Sequence, residues 1–289
     1  MTELRLDGRI AVVTGAGHGL GRSHALGLAA RGARLVVNDT DGAAAARVVG
    51  EIRDRGGLAV SDDGDVSAED EADALIETAV ESFGRVDIVV NNAGLLRDRA
   101  FKNITVAEWD RVVGVHLRGT FLVTRAAFGH MRANGFGRII TTTSPSGLFG
   151  NFGQSNYAAA KMGVIGLTKT LAIEGAGYDI TANALAPVAY TRLTEDLFPP
   201  SARENLAPER VTPLVLWLAH EDCETTGEIY SVGGGRVARV FVAEGPGAAP
   251  AEDSPEALRD CWPEVNAERP YVIPRNLSEQ AGAYLRGLA

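Results

Sequence analysis

Four short runs of the chain, IAVVTG from Ile10, ARLVVND from Ala33, VDIVVNNAG from Val86 and GRIITTTS from Gly137, are rich in strand-forming residues, each around an unbroken apolar stretch. Longer stretches with helical spacing, such as EADALIETAVESFG, separate them. A strand that alternates apolar and polar residues has one wet face, whereas a strand that is apolar throughout must be covered on both. Such strands, alternating with helices, predict an α/β fold: a doubly wound, Rossmann-like parallel sheet with helices on each side. Later strands are expected to start near Asp179 and Glu228. At 289 residues and 45% hydrophobic, the chain is long enough for one such core. One domain is expected over residues 1–242, with a linker and short helical extension over 243–289, because AEGPGAAPAEDSPEA from Ala243 is rich in Pro, Gly and Ala.

The formal charge of −9 argues against nucleic acid or an anionic membrane surface as the main partner, since either calls for a basic face. No run reaches the roughly 18 uninterrupted apolar residues of a membrane span, and MTELRLDGRI lacks the apolar stretch of a signal peptide. Cys223 and Cys261 are too few for a disulfide framework, and the five histidines lack zinc-ligand spacing, so no metal is expected. With an RGLA ending where a peroxisomal signal has Ser-Lys-Leu, the expected location is the cytoplasm.

TGAGHGLG, from Thr14 to Gly21, follows the first strand and opens the first helix. In that context a glycine-rich turn lets backbone amides approach a diphosphate. Gly15, Gly19 and Gly21 are the candidates, with Gly17, His18 and Leu20 between them; a merely tight βα turn is the alternative. Asp39 ends the second strand about twenty residues further on, where a carboxylate can accept from both hydroxyls of an adenosine ribose and repel a 2′-phosphate. That favours NAD over NADP, the alternative being an aspartate that caps the next helix. Asp65 and Val66 end the third strand and NNAG, Asn91 to Gly94, ends the fourth, both at the carboxyl edge where ligands bind. Asp65 either meets the adenine or caps the helix beginning near Ala68. Asn92, Ala93 and Gly94 either face the cofactor or form a strand-to-loop turn, and the two roles can coexist.

Tyr157 precedes Lys161 by four residues in an alanine-rich helical stretch, so both side chains share one face. An ammonium beside a phenol favours loss of the phenolic proton, which makes the pair a candidate proton-transfer device. By itself it is also a common surface pair.

Taken together, the glycine-rich turn, NNAG and Tyr-x-x-x-Lys, with Ser144 thirteen residues before Tyr157, resemble the short-chain dehydrogenase/reductase family over about Leu4 to Gly235. The resemblance implies that Tyr157 is the general base, that Ser144 hydrogen-bonds the developing carbonyl, and that Lys161 lowers the tyrosine pKa and binds the nicotinamide ribose. It further implies cofactor contacts from Pro187 and Thr191 and a homodimer or homotetramer. DGRIAVVTGAGHGLGRSHAL, NNAGLLRDRAF, VHLRGTF and GNFGQSNYAAAK look more narrowly like the (3R)-hydroxyacyl-CoA dehydrogenase units of peroxisomal multifunctional β-oxidation enzymes. That implies NAD-linked oxidation of a secondary alcohol on a fatty-acyl or steroid-derived CoA thioester.

Two departures from the wider family stand out. His116 replaces an asparagine that helps hold the catalytic lysine, and its ring is equally well read as packing at a helix interface. PVAYT, Pro187 to Thr191, replaces a turn that usually carries Pro-Gly. Residues 188–207 suit a lid over an apolar pocket; Phe149, Phe152, Leu193 and Phe198 are candidate lining residues, though core or oligomer contacts are the simpler reading. Arg97, Arg99 and Lys102 are candidates for CoA phosphates or a solvated loop. Gly163 and Gly166 suit a close helix approach, within the chain or between copies. Competing functions are reduction of 3-oxoacyl thioesters, oxidation of free steroids or other alcohols, and a non-catalytic dinucleotide sensor.

Overall fold

The computed structural model describes residues 3–285. Strand and helix alternate from the start: β1 (Ile10–Val13), α1 (Gly19–Ala30), β2 (Arg34–Asn38), α2 (Gly42–Asp54), β3 (Ala59–Asp62), α3 (Glu69–Phe83) and β4 (Ile88–Asn91). α4 (Val106–Val113) and α5 (Gly119–Asn134) lead to β5 (Gly137–Thr142), then α6 (Pro145–Phe149), α7 (Ser155–Gly175) and β6 (Ile180–Pro187). α8 (Thr212–Ala219), β7 (Ile229–Gly233) and β8 (Arg236–Val240) complete an eight-stranded sheet in the order β3-β2-β1-β4-β5-β6-β7-β8. The pairs from β3 through β7 are all parallel. β8 was not foreseen: Gly234 and Gly235, both at positive φ, turn the chain from β7 straight into it.

The apolar runs are buried as their composition requires. Val13, Leu35, Val37 and Ile88 pack on one side with Leu28, Val48 and Val215, while Val12, Val36 and Val89 pack on the other with Leu75, Ile76 and Leu122. Each fully buried side chain of this kind contributes about 1.5–3 kcal/mol relative to exposure, so both helical layers are held to the sheet. Because every strand from β1 to β6 runs the same way, their carboxyl ends converge on one edge, and strand order reverses between β1 and β4. Ligands of open α/β sheets bind at such a reversal.

The first compact unit ends at Arg239 rather than at residue 242. The second starts at Val240 and, among the described residues, carries three helices, α9 (Pro255–Asp260), α10 (Trp262–Val265) and α11 (Leu277–Leu285). Its opening stretch is not a plain linker: Glu244 and Val272 exchange backbone hydrogen bonds of 2.9 Å, and Phe241 stacks on Tyr271.

One buried group in the α1–α8 contact makes stability depend on pH. His24 is fully enclosed, with Nδ1 3.0 Å from the Thr212 hydroxyl, and burial pushes its pKa from 6.5 down to about 3. As pH falls below 6.5 the unfolded chain protonates this residue and the folded chain does not, so stability present above pH 6.5 is lost towards pH 3. Between pH 6.5 and about 5 that loss amounts to roughly 2 kcal/mol. His24→Gln, followed by denaturant unfolding at both pH values, is expected to remove about that much of the acid sensitivity; identical pH slopes in the two proteins would contradict it.

Candidate active site

The loops after β1, β2, β3, β4, β5 and β6 enclose one cleft at the carboxyl edge, lined by Gly15, Asp39, Asp65, Ser144, Tyr157, Lys161 and Thr191 among others. Its nucleotide end begins at the glycine-rich turn. Gly15 has φ +61°, and a Cβ there would lie 2.7 Å from Ala93 Cα, so only glycine lets the turn settle on NNAG. His18, Gly19 and Leu20 also line the cleft. Gly17 and Gly21 work from behind it: Gly17 N donates to Asp39 Oδ2 (2.9 Å), and a Cβ on Gly21 would meet the Gly15 carbonyl at 2.2 Å. His18 precedes α1 in extended conformation without a side-chain cap, which leaves the first amides of the helix available to an anion.

NNAG is clamped to this turn by Thr14, whose role the sequence did not suggest. The Thr14 hydroxyl accepts from Asn92 N and Ala93 N, each at 3.0 Å, while Asn92 Nδ2 donates to the Thr14 and Gly15 carbonyls. Asn92, Ala93 and Gly94 nevertheless face the cleft, so the structural and site readings coexist.

Asp39 does not cap a helix; Asp41 caps α2, accepting from Ala44 N at 3.0 Å. Asp39 accepts from Gly17 N and Asp41 N and remains in the cleft wall. β3 stops earlier than expected, at Asp62, because the Asp62 carboxylate captures Gly64 N (3.0 Å) and Asn38 Nδ2 (2.7 Å) and bends the chain out of the ladder. Asp65 and Val66 therefore lie beyond the strand, both in the cleft wall. Asp65 does not cap α3, which starts after Ala68 with no side-chain cap. Burial would raise its carboxyl pKa, but hydrogen bonds from Ser67 and Arg111 outweigh this and hold it below the ordinary value.

The chemical end is built by β5 and α7. Ser144 caps α6, its hydroxyl accepting from Ser146 N at 3.2 Å, and it is Ser144 that lines the cleft. Gly147 lets α6 close on α7, since a Cβ there would lie 2.7 Å from Lys161 Cβ. Asn156, unnoticed in the sequence, is fully buried; its amide donates to the Arg97 carbonyl (3.2 Å) and its oxygen accepts from Tyr157 N (2.8 Å). Lys161 Nζ donates to the Thr142 carbonyl and lies 5.6 Å from the centre of the Tyr157 ring. Burial lowers the Lys161 pKa to about 7.

A phenol acidified by Lys161 is not what this arrangement produces. Burial holds the Tyr157 pKa above its ordinary value, and Asp98 adds to the rise. The one opposing influence is the Ser144 hydroxyl; the ammonium sits over the ring and is engaged by Thr142.

His116 lies in a single turn of π-helix, Gly114–Arg118, between α4 and α5, which periodicity gave no means of seeing. Its ring meets Tyr157 edge to face, centroids 5.0 Å apart, and Nε2 is 2.7 Å from the Leu95 carbonyl and 3.0 Å from Leu95 N. Burial, then the Lys161 charge, drops its pKa to about 3, so the imidazole is neutral at physiological pH.

Pro187 and Thr191 both line the cleft, and Thr191 Cγ2 lies 3.4 Å from where a Gly19 Cβ would be. The segment 188–207 is mainly turns, closed at its base by Tyr190 N to Leu206 O at 2.7 Å. Of the four proposed apolar lining residues only Leu193 is in the wall; Phe149 and Phe152 stand exposed and Phe198 is half-buried. Arg99 is paired with Glu108 (2.8 Å) and Arg97 donates to the Leu96 carbonyl. Gly163 packs within the chain against Leu117, while Gly166 faces open space. Among the described residues no group of three or more His, Cys, Asp or Glu could hold a metal, and no helix is long and apolar enough to cross a membrane.

Known proteins are similar to this chain in sequence and fold. The chain is 48% identical over 289 residues to the peroxisomal multifunctional enzyme type 2 of Mus musculus, covering 94% of this chain but 39% of that protein. It is 43% identical over 275 residues to a hydroxyacyl-CoA dehydrogenase of Mycobacterium tuberculosis, with 86% of each chain covered. Among solved structures it superposes on a short-chain dehydrogenase from Mycobacterium avium with TM-score 0.83 at 43% identity, covering 92% of this chain and 98% of that one. A 7α-hydroxysteroid dehydrogenase complexed with NADH and 7-oxo glycochenodeoxycholic acid matches with TM-score 0.76 at 31% identity, covering 81% of this chain and 98% of that one. The short chain dehydrogenase family model matches residues 9–200, most of the chain, and the protein is an oxidoreductase of that family.

Proposed function

We propose that the protein oxidises a 3-hydroxyacyl-CoA, a fatty-acyl or steroid side-chain thioester, to the 3-oxo compound with NAD as acceptor. The observation that carries this reading is the convergence of Ser144, Tyr157 and Lys161 on the cleft that also holds the glycine-rich turn and Asp39. A dinucleotide fits these residues: the first amides of α1 lack a side-chain cap and can hold its diphosphate, while Asp39 can accept from its adenosine ribose. A bound nicotinamide supplies the acceptor for the hydride that leaves the alcohol carbon. Tyr157, as the phenolate, takes the hydroxyl proton, Ser144 donates a hydrogen bond to the developing carbonyl oxygen, and Lys161 binds the nicotinamide ribose. His116 orients Tyr157 and the chain at Leu95. Pro187 and Thr191 border the nicotinamide side, and a homodimer or homotetramer is part of the same reading.

Reduction of a 3-oxoacyl thioester is this reaction reversed in the same site. A sensor that only binds a dinucleotide would need the glycine-rich turn and Asp39 but not Ser144 and Tyr157, so their joint presence favours an enzyme.

Asp39 carries the choice of NAD, because its carboxylate would repel a 2′-phosphate. Replacing it with alanine is expected to narrow the ratio of kcat/KM for NAD over NADP by about tenfold or more. Steady-state kinetics with both cofactors checks this, and an unchanged ratio would remove Asp39 from the ribose site.

A further inference from the structure

Arg111, on α4, lines the cleft together with Asp65, the residue read above as meeting the adenine. Its Nη1 lies 3.0 Å from Asp65 Oδ2. Asp65 Oδ1 already accepts from Ser67 N (2.9 Å) and the Ser67 hydroxyl (2.7 Å). A carboxylate offers about four acceptor positions, so these three contacts leave it one. The Arg111 Nε and Nη2 donors have no protein partner among the described residues.

We propose that Arg111 is the positioning residue that makes Asp65 selective for a purine carrying a 6-amino group. A carboxylate only accepts, so it pairs with the N–H of a 6-amino group and repels the oxygen of a 6-oxo purine. Ser67 anchors one oxygen of Asp65. Arg111 pins the other and leaves a single fixed acceptor in the cleft wall. Without the guanidinium, Oδ2 is free to take water in its place and the amino group is read less strictly.

This rests on the placement of a dinucleotide with its adenine at Asp65, and the experiment separates the two claims. Binding of NAD and of nicotinamide hypoxanthine dinucleotide, its 6-oxo analogue, is measured by calorimetry on the full chain as wild type, Arg111→Ala, Arg111→Lys and Asp65→Asn. The wild type is expected to prefer NAD. Asp65→Asn, which adds a donor for the 6-oxo group, should collapse the preference, and Arg111→Ala should narrow it by about fivefold. Arg111→Lys, which keeps the charge without the planar fork, should recover part of it. A residue that merely supported α4 would weaken both ligands equally. A preference that survives Arg111→Ala but falls in Asp65→Asn overturns the inference alone; one that survives both overturns the placement of the adenine as well.

Discussion

Tyr157→Phe is expected to lower kcat by about 10²–10⁴-fold while leaving the affinity for NAD nearly unchanged. The substitution removes only the phenolic oxygen. The ring keeps its edge contact with His116 and its place under Lys161, so the cleft should keep its shape. The direction of the pH dependence follows from the environment of the phenol. Because burial holds the Tyr157 pKa above its ordinary value, the phenolate is scarce at neutral pH, and alcohol oxidation by the wild type should accelerate as pH rises. Reduction, in which Tyr157 donates its proton, should stay active at neutral pH. Turnover near the wild-type level in Tyr157→Phe, or oxidation that does not respond to alkaline pH, would remove Tyr157 as the base.

The second large effect is expected at Gly94. A Cβ there would lie 2.4 Å from His116 Cε1, and His116 cannot yield easily because Leu95 holds its Nε2 while Tyr157 flanks its ring. Overpacking of this kind costs about 1–3 kcal/mol. Part of that strain should reach Tyr157 through the imidazole, so Gly94→Ala is expected to reduce kcat/KM by at least about tenfold along with stability. If the collision with His116 is the cause, adding Gly94→Ala to His116→Ala should cost much less than adding it to the wild type. Full activity in Gly94→Ala, or equal costs in both backgrounds, would show that the ring is not held as described.

Legibility in the sequence follows from whether a feature depends on neighbours in the chain or on neighbours in space. The doubly wound sheet was readable because the parts of strands covered on both faces must be apolar, as IAVV and LVV are. Tyr157 and Lys161 share a helix face, which spacing alone determines. Thr14, Asn156 and Arg111 are different: each acts on a segment far away in sequence, and an isolated threonine, asparagine or arginine carries no periodic signal. The π-helical turn at His116 was likewise invisible, since an extra residue in one turn shifts the phase of the apolar pattern, which then reads as a break between two ordinary helices. The early end of β3 depends on the Asp62 side chain capturing Gly64 N, a local competition that the apolar pattern does not record. The expected influence of Lys161 on Tyr157 failed for a related reason: proximity in the helix was right, but the Thr142 carbonyl draws the ammonium and burial dominates the phenol.

The most direct measurement is the formation of NADH by the purified chain from a panel of 3-hydroxyacyl-CoAs, steroids and simple secondary alcohols. The proposed function predicts NADH from 3-hydroxyacyl-CoAs at a higher kcat/KM than from free steroids or simple alcohols, and its loss in Tyr157→Phe. Absence of NADH from every 3-hydroxyacyl-CoA, with faster turnover of a free alcohol or with none at all, would contradict it.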